Sequence, residues 1–70
     1  MKSESFIDRI FRSYGEARFG KKVMDQISSD RIESARCATF RKLGELTAQY
    51  GKQPKGTAED LFCNYVMEMR

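Results

Sequence analysis

The chain has no histidine and no tryptophan, a single proline (Pro54) and two cysteines (Cys37 and Cys63) among 70 residues. Without histidine it lacks the side chain whose ordinary pKa suits proton transfer near neutrality. No glycine-rich phosphate loop is present, and no serine or cysteine stands in a nucleophile motif, so catalysis is not expected. Two thiols and no imidazole would leave a zinc site to be completed by carboxylates, so neither a metal nor a cofactor is expected. No apolar run approaches the roughly 18 residues of a membrane span. The opening MKSESFIDRIF places acids where a leader would be apolar. These absences predict a soluble, cytoplasmic chain with no membrane partner. In that compartment the two cysteines are expected to be buried free thiols, not a disulfide. With an initiating methionine and no tag, the chain reads as complete.

What is present has helical periodicity throughout, with no sustained alternation of period two and no hairpin-type turn. The organising stretch is SDRIESARCATFRKLGELTAQYG, residues 29 to 51. Asp30 is expected to cap a helix of about residues 30–50, with Glu33 returning the bond three residues on. Gly51 closes it and Pro54 forbids its continuation. At about 100° per residue, Ala35, Leu46, Thr39, Ile32, Tyr50, Leu43, Thr47 and Phe40 form one broad arc, extended by Gly44, Cys37 and Ala48. That arc predicts neighbours on two sides, the small residues admitting one of them closely.

Ahead of it, a first helix is expected from about Glu4 to Tyr14, capped by Ser3, with Phe6, Ile7, Ile10, Phe11 and Tyr14 as its buried face and Asp8, Arg9 and Arg12 opposite. Gly15 should end or bend it. A second helix follows from about Glu16 to Ile27, with Ala17, Phe19, Gly20, Val23, Met24 and Ile27 on its apolar side. After the KQPKG loop, Thr57 should cap a fourth helix with Asp60 at the capping-box position. Ala58, Leu61, Phe62, Tyr65, Val66 and Met69 form its core face. The fold class is therefore all-α: one helical domain, residues 1–70, built as a small irregular bundle of three or four helices around the long central one. A chain this short has a limited core, so its stability is expected to draw on a partner or on self-association.

The net charge of +3 is unevenly spread. Residues 31 to 56 carry six bases (Arg31, Arg36, Arg41, Lys42, Lys52, Lys55) against Glu33 and Glu45, and residues 57 to 70 carry Glu59, Asp60 and Glu68 against Arg70. Arg9, Arg12, Arg18, Lys21 and Lys22 face only Glu16 and form a candidate patch for nucleic acid or an acidic protein surface. A helix-turn-helix made by the KQPKG loop and the fourth helix is disfavoured, because Glu59 and Asp60 would open the recognition helix against phosphates. Cys63 and Met67 fall outside the fourth helix's core face and, beside Phe62, Val66 and Met69, suggest a surface that another chain covers. The leading expectation is a small regulatory protein that binds and inhibits a partner protein, such as a transcriptional regulator. Its size suits the antirepressor or anti-activator type carried by phages and plasmids. A dimeric nucleic-acid-binding protein using the basic patch is the alternative.

Overall fold

The computed structural model describes residues 6 to 69 as four helices: α1 (Phe6–Phe19), α2 (Lys21–Asp25), α3 (Ser29–Tyr50) and α4 (Thr57–Met69). The expected cap at Ser3 and start at Glu4 lie outside the described residues. No strand occurs among the described residues, and no helix there is long and apolar enough to cross a membrane. The all-α expectation holds, with α3 as the long element. At about 1.5 Å per residue, its 22 residues account for most of the 38 Å long dimension of the molecule.

The first break in the chain differs from expectation. Helix α1 runs straight through Gly15, and the interruption falls at Gly20, where φ is 94°. Helix α2 consequently shrinks to five residues instead of spanning Glu16 to Ile27. Gly15 is buried, and a Cβ there would overlap the Met24 thioether, so this glycine serves a close approach of α2 to α1. Its local penalty of about 1 kcal/mol is too small to stop a helix whose neighbour requires the space. Gly15→Ala should therefore destabilise the protein by about 1–2 kcal/mol through overpacking, because Met24 is fully buried and has little room to move. Gly44, in the middle of α3, stands in open space, with nothing within 4 Å of where an alanine methyl would sit, and Gly44→Ala should stabilise by about 1 kcal/mol. Urea denaturation of the two variants checks the opposite signs.

The helix ends also differ in detail. Ser28, not Asp30, caps α3: its hydroxyl accepts from the Arg31 N–H at 3.3 Å, and the helix begins one residue early. Asp30 remains useful in the first turn, where a carboxylate meets the positive end of the helix dipole. Gly51 closes α3 as expected, with φ 82° and its N–H donating to Thr47 O at 2.8 Å. At α4 the capping box does not form. Thr57 is already the first helical residue, its hydroxyl donates to Pro54 O at 2.8 Å, and the Asp60 carboxylate is taken by Arg18.

The core is formed by Phe11, Met24, Ile32, Ala35, Phe62, Cys63 and Val66, one or more from each helix. Thr39 is buried with them, its hydroxyl satisfied by donation to Ala35 O at 2.7 Å. Phe11 is the aromatic hub, meeting Tyr14, Phe40 and Phe62 edge-on at 5.2, 5.3 and 5.2 Å. Helix α4 returns antiparallel to α3, its last carbonyl accepting from Arg31 Nη1 at 2.8 Å, and packs against α1 as well. The predicted arc of α3 is buried only at Ile32, Ala35 and Thr39. Leu43 and Leu46 are half-buried, while Phe40 and Tyr50 are 45% and 71% exposed. The second neighbour expected along Cys37, Gly44 and Ala48 is not found among the described residues: all three positions are exposed, and no described helix packs over them.

Candidate protein-binding face

Helix α1 is turned about its axis relative to its apolar stripe. Asp8, Phe11, Gly15 and Phe19 share one side at helical spacing and point toward the other helices, whereas Phe6, Ile10 and Ala17 occupy the opposite side. The expected buried face of this helix is thus corrected. Only Phe11 and Gly15 are buried, Tyr14 packs against the core at its edge, and Phe6, Ile7 and Ile10 are 76%, 44% and 38% exposed. Two interactions set the rotation. One is the contact of Gly15 with Met24. The other is a hydrogen-bonded ion pair from Arg36 Nε to Asp8 Oδ1, which ties α1 to α3 and holds the Arg36 guanidinium pKa above its ordinary value.

Helices α1 and α4 run antiparallel in a register marked by two contacts. Arg18 Nη2 meets Asp60 Oδ1 at 2.8 Å and Glu59 Oε1 at 3.8 Å. One turn away, the Cys63 thiol points at Tyr14 O, 3.8 Å distant. Carried one turn further, the same register sets Ile10 level with Met67, which is 59% exposed. Phe6, Ile7, Ile10 and Met67 thus crowd one end of the α1–α4 face, and Ser13, Ala17 and Asn64 occupy its remainder. Phe40 stands apart, edge-on to Phe11 with Arg36 5.9 Å above its ring.

Of the residues expected at a protein interface, Met67 alone is well exposed. Phe62, Cys63 and Val66 are 0%, 1% and 0% exposed and belong to the core, and Met69 is half-buried against it. The reason is that α4 is covered on two sides, by α3 through its predicted core face and by α1 through Cys63. Phe6, Ile7 and Ile10 are the surface residues that periodicity alone places in the core. The acid at Asp8 and the glycine at position 15, both on the buried side, are the signals that mark the rotation.

The basic patch is also divided. Arg12 pairs with Asp25 at 3.5 Å, and Arg18 is held by Asp60 and Glu59, so the acidic opening of α4 neutralises the end of α1. The Arg18 pKa is raised above its ordinary value by the hydrogen bond to Asp60. Arg9, Lys21 and Lys22 are exposed.

Both cysteines are free thiols; Cys63 is buried as expected, while Cys37 is exposed. Burial pushes the Cys63 thiol pKa up, with the nearby Arg18 charge partly opposing it. That environment suppresses the thiolate needed of a nucleophile. Above the ordinary thiol range, near pH ~8.5, unfolded chains shed this proton while folded ones retain it. Stability present at neutral pH is therefore lost as pH rises from there through the raised folded value. Thermal melts at rising pH should show that decline, and Cys63→Ala should show a smaller one.

A shallow pocket of about 240 Å³ is lined by Val23, Gln26, Ile27, Arg31 and Met69. It falls below the ~300–1,000 Å³ usual for a small-molecule site, and Arg31 in its wall is already committed to the Met69 carbonyl. No group of His, Cys, Asp and Glu side chains that could hold a metal ion occurs among the described residues. Comparison with known proteins supplies no family for the chain: no family model matches it, and neither a curated protein nor a solved structure is significantly similar to it.

Proposed function

We propose that the chain is a small non-enzymatic regulator that acts by covering a surface of a partner protein, in the manner of an antirepressor or anti-activator, with the α1–α4 face as its contact. The observation that carries this reading is the grouping of Phe6, Ile7, Ile10 and Met67, all exposed, where the buried apolar set among the described residues numbers only seven. Contiguous apolar patches are uncommon on soluble domains, and apolar side chains grouped on one face supply the desolvated centre that protein interfaces use. Exposed Arg9 on one rim and Glu68 on the other give the polar border that orients a partner. The basic-patch reading is weakened by the ion pairs that occupy Arg12 and Arg18.

The test is retention of partners from host lysate by the tagged protein, with and without nuclease, beside Met67→Glu. The wild-type chain should hold a stoichiometric protein that resists nuclease. The variant should lose it by roughly 100-fold in affinity, as for a central contact, with helical content unchanged, because position 67 is outside the core. Equal retention by the variant removes this face from consideration. Retention that collapses with nuclease, and with Lys21→Glu/Lys22→Glu, would move the function to nucleic acid.

A further inference from the structure

The α1–α4 face has a property that a generic docking surface lacks: it is complementary to itself. In the antiparallel register set by Arg18 with Asp60 and by Tyr14 with Cys63, residue numbers of the two helices at equal height sum to about the same value. Ile10 is thereby level with Met67, Ser13 with Asn64, and Arg9 with Glu68. At helical spacing Arg9 stands on the rim of α1 farther from α4, and Glu68 on the rim of α4 farther from α1. Both are exposed, and neither has the other within reach across the width of two helices. The face thus presents apolar residues at one end, Ser13, Ala17, Asn64 and the exposed Arg18–Asp60 ion pair at the other, and opposite charges at one height on its two edges.

A two-fold axis lying in the plane of the face and parallel to the helices preserves height and exchanges left with right. It sets α1 of one copy against α4 of the other. Arg9 then meets the second copy's Glu68, twice, and the apolar end of each copy meets the apolar end of the other. An isologous contact of this kind is the commonest form of self-association. Resting on the reading of this face as a contact surface, we infer that its occupant in the free protein is a second copy of the same chain, joined about that axis as a four-helix layer.

The size of the face sets the strength of the contact. Helices of 14 and 13 residues are each about 20 Å long at roughly 1.5 Å per residue and pack about 10 Å apart. Such a face falls at the small end of specific interfaces, where association is reversible. The dimer therefore forms on concentration and gives way to a partner that offers a better apolar contact.

Sedimentation equilibrium of the whole chain tests this. The wild-type mass should climb from 8.1 kDa toward twice that value with rising concentration, with a midpoint on the order of micromolar to hundreds of micromolar. Met67→Glu should remain at the monomer mass over the same range. Glu68→Arg places like charge opposite Arg9 twice per dimer and should raise the midpoint roughly tenfold. Arg9→Glu combined with Glu68→Arg should bring it back, a rescue that only contact between two copies can produce. A wild-type chain that stays monomeric throughout overturns the inference, as does a dimer whose midpoint the charge swap fails to restore. The lysate experiment separates the two levels. A monomer that retains a partner through Met67 sinks the dimer and leaves the regulator, whereas a dimer that retains nothing sinks the regulator and leaves the dimer.

Discussion

Phe62→Ala should leave most of the protein unfolded at room temperature or close to it. The ring is fully buried where α4 crosses the bundle, and it meets Phe11 edge-on at 5.2 Å. Phe11 in turn holds Tyr14 and Phe40, so truncation at position 62 opens a cavity beside the hub of the aromatic set. A buried Phe→Ala change commonly costs about 3–5 kcal/mol. A domain of this length has roughly 4–10 kcal/mol in total, at about 0.05–0.15 kcal/mol per residue. The loss is thus comparable to the whole. Urea titration followed by circular dichroism should show the folded baseline shortened or gone, while Phe62→Leu, which keeps most of the volume, should retain a measurable transition. A loss under about 1 kcal/mol for the alanine variant would show that the ring does not bear on the core.

Asp8→Ala should be the most damaging change at a charged position, lowering stability by about 2 kcal/mol. Arg36 is only 18% exposed in its side chain and Asp8 only 16%, and their pair joins α1 to α3 across 28 positions of sequence. Removing the carboxylate strands a guanidinium that is poorly hydrated and leaves it Glu33, 3.9 Å away and largely exposed, as the charged partner in reach. The magnitude lies between the median of about 0–1 kcal/mol for exposed pairs and the 3–5 kcal/mol for breaking fully buried ones. Replacing both residues, as Asp8→Leu with Arg36→Met, should recover much of the loss, since a buried pair exchanged for apolar side chains of similar volume is often neutral. Full loss in the double variant would mean that the pair's geometry, and not its desolvated charge, holds α1 in place. Glu33→Ala serves as the comparison and should change stability by less than about 0.5 kcal/mol.

The existence of the helices and the closure of α3 were legible in the sequence, whereas their exact N-terminal caps and the relations between helices were not. The long α3, its closure at Gly51 and the core positions Ile32, Phe62 and Val66 all follow from periodicity and end signals that act within a few residues. Gly15 illustrates the limit. Its low helix propensity is a local fact, but its purpose is to admit Met24, and that need arises only once α2 lies against α1. The interface residues failed for the same reason. A helix with apolar residues over half its circumference does not disclose which part its neighbours cover, so Cys63 went to the inside and Phe6 and Ile10 to the outside. The basic cluster likewise is divided once Asp25 and Asp60 are placed beside Arg12 and Arg18, partners 13 and 42 residues away in the chain.

Helix α3 is continuous in its hydrogen bonding, yet its buried residues stop at Thr39 and none falls between 41 and 50. The free energy that protects a helical amide from solvent comes mostly from the burial beneath it. One helix therefore contains two rates of breathing. In hydrogen exchange, amides over Ile32 to Thr39 should open only with the whole fold, while those of the last two turns should exchange through local fraying. The far end of the molecule's longest element is thus held by its own backbone hydrogen bonds and by the half-buried Leu43 and Leu46, not by the aromatic centre.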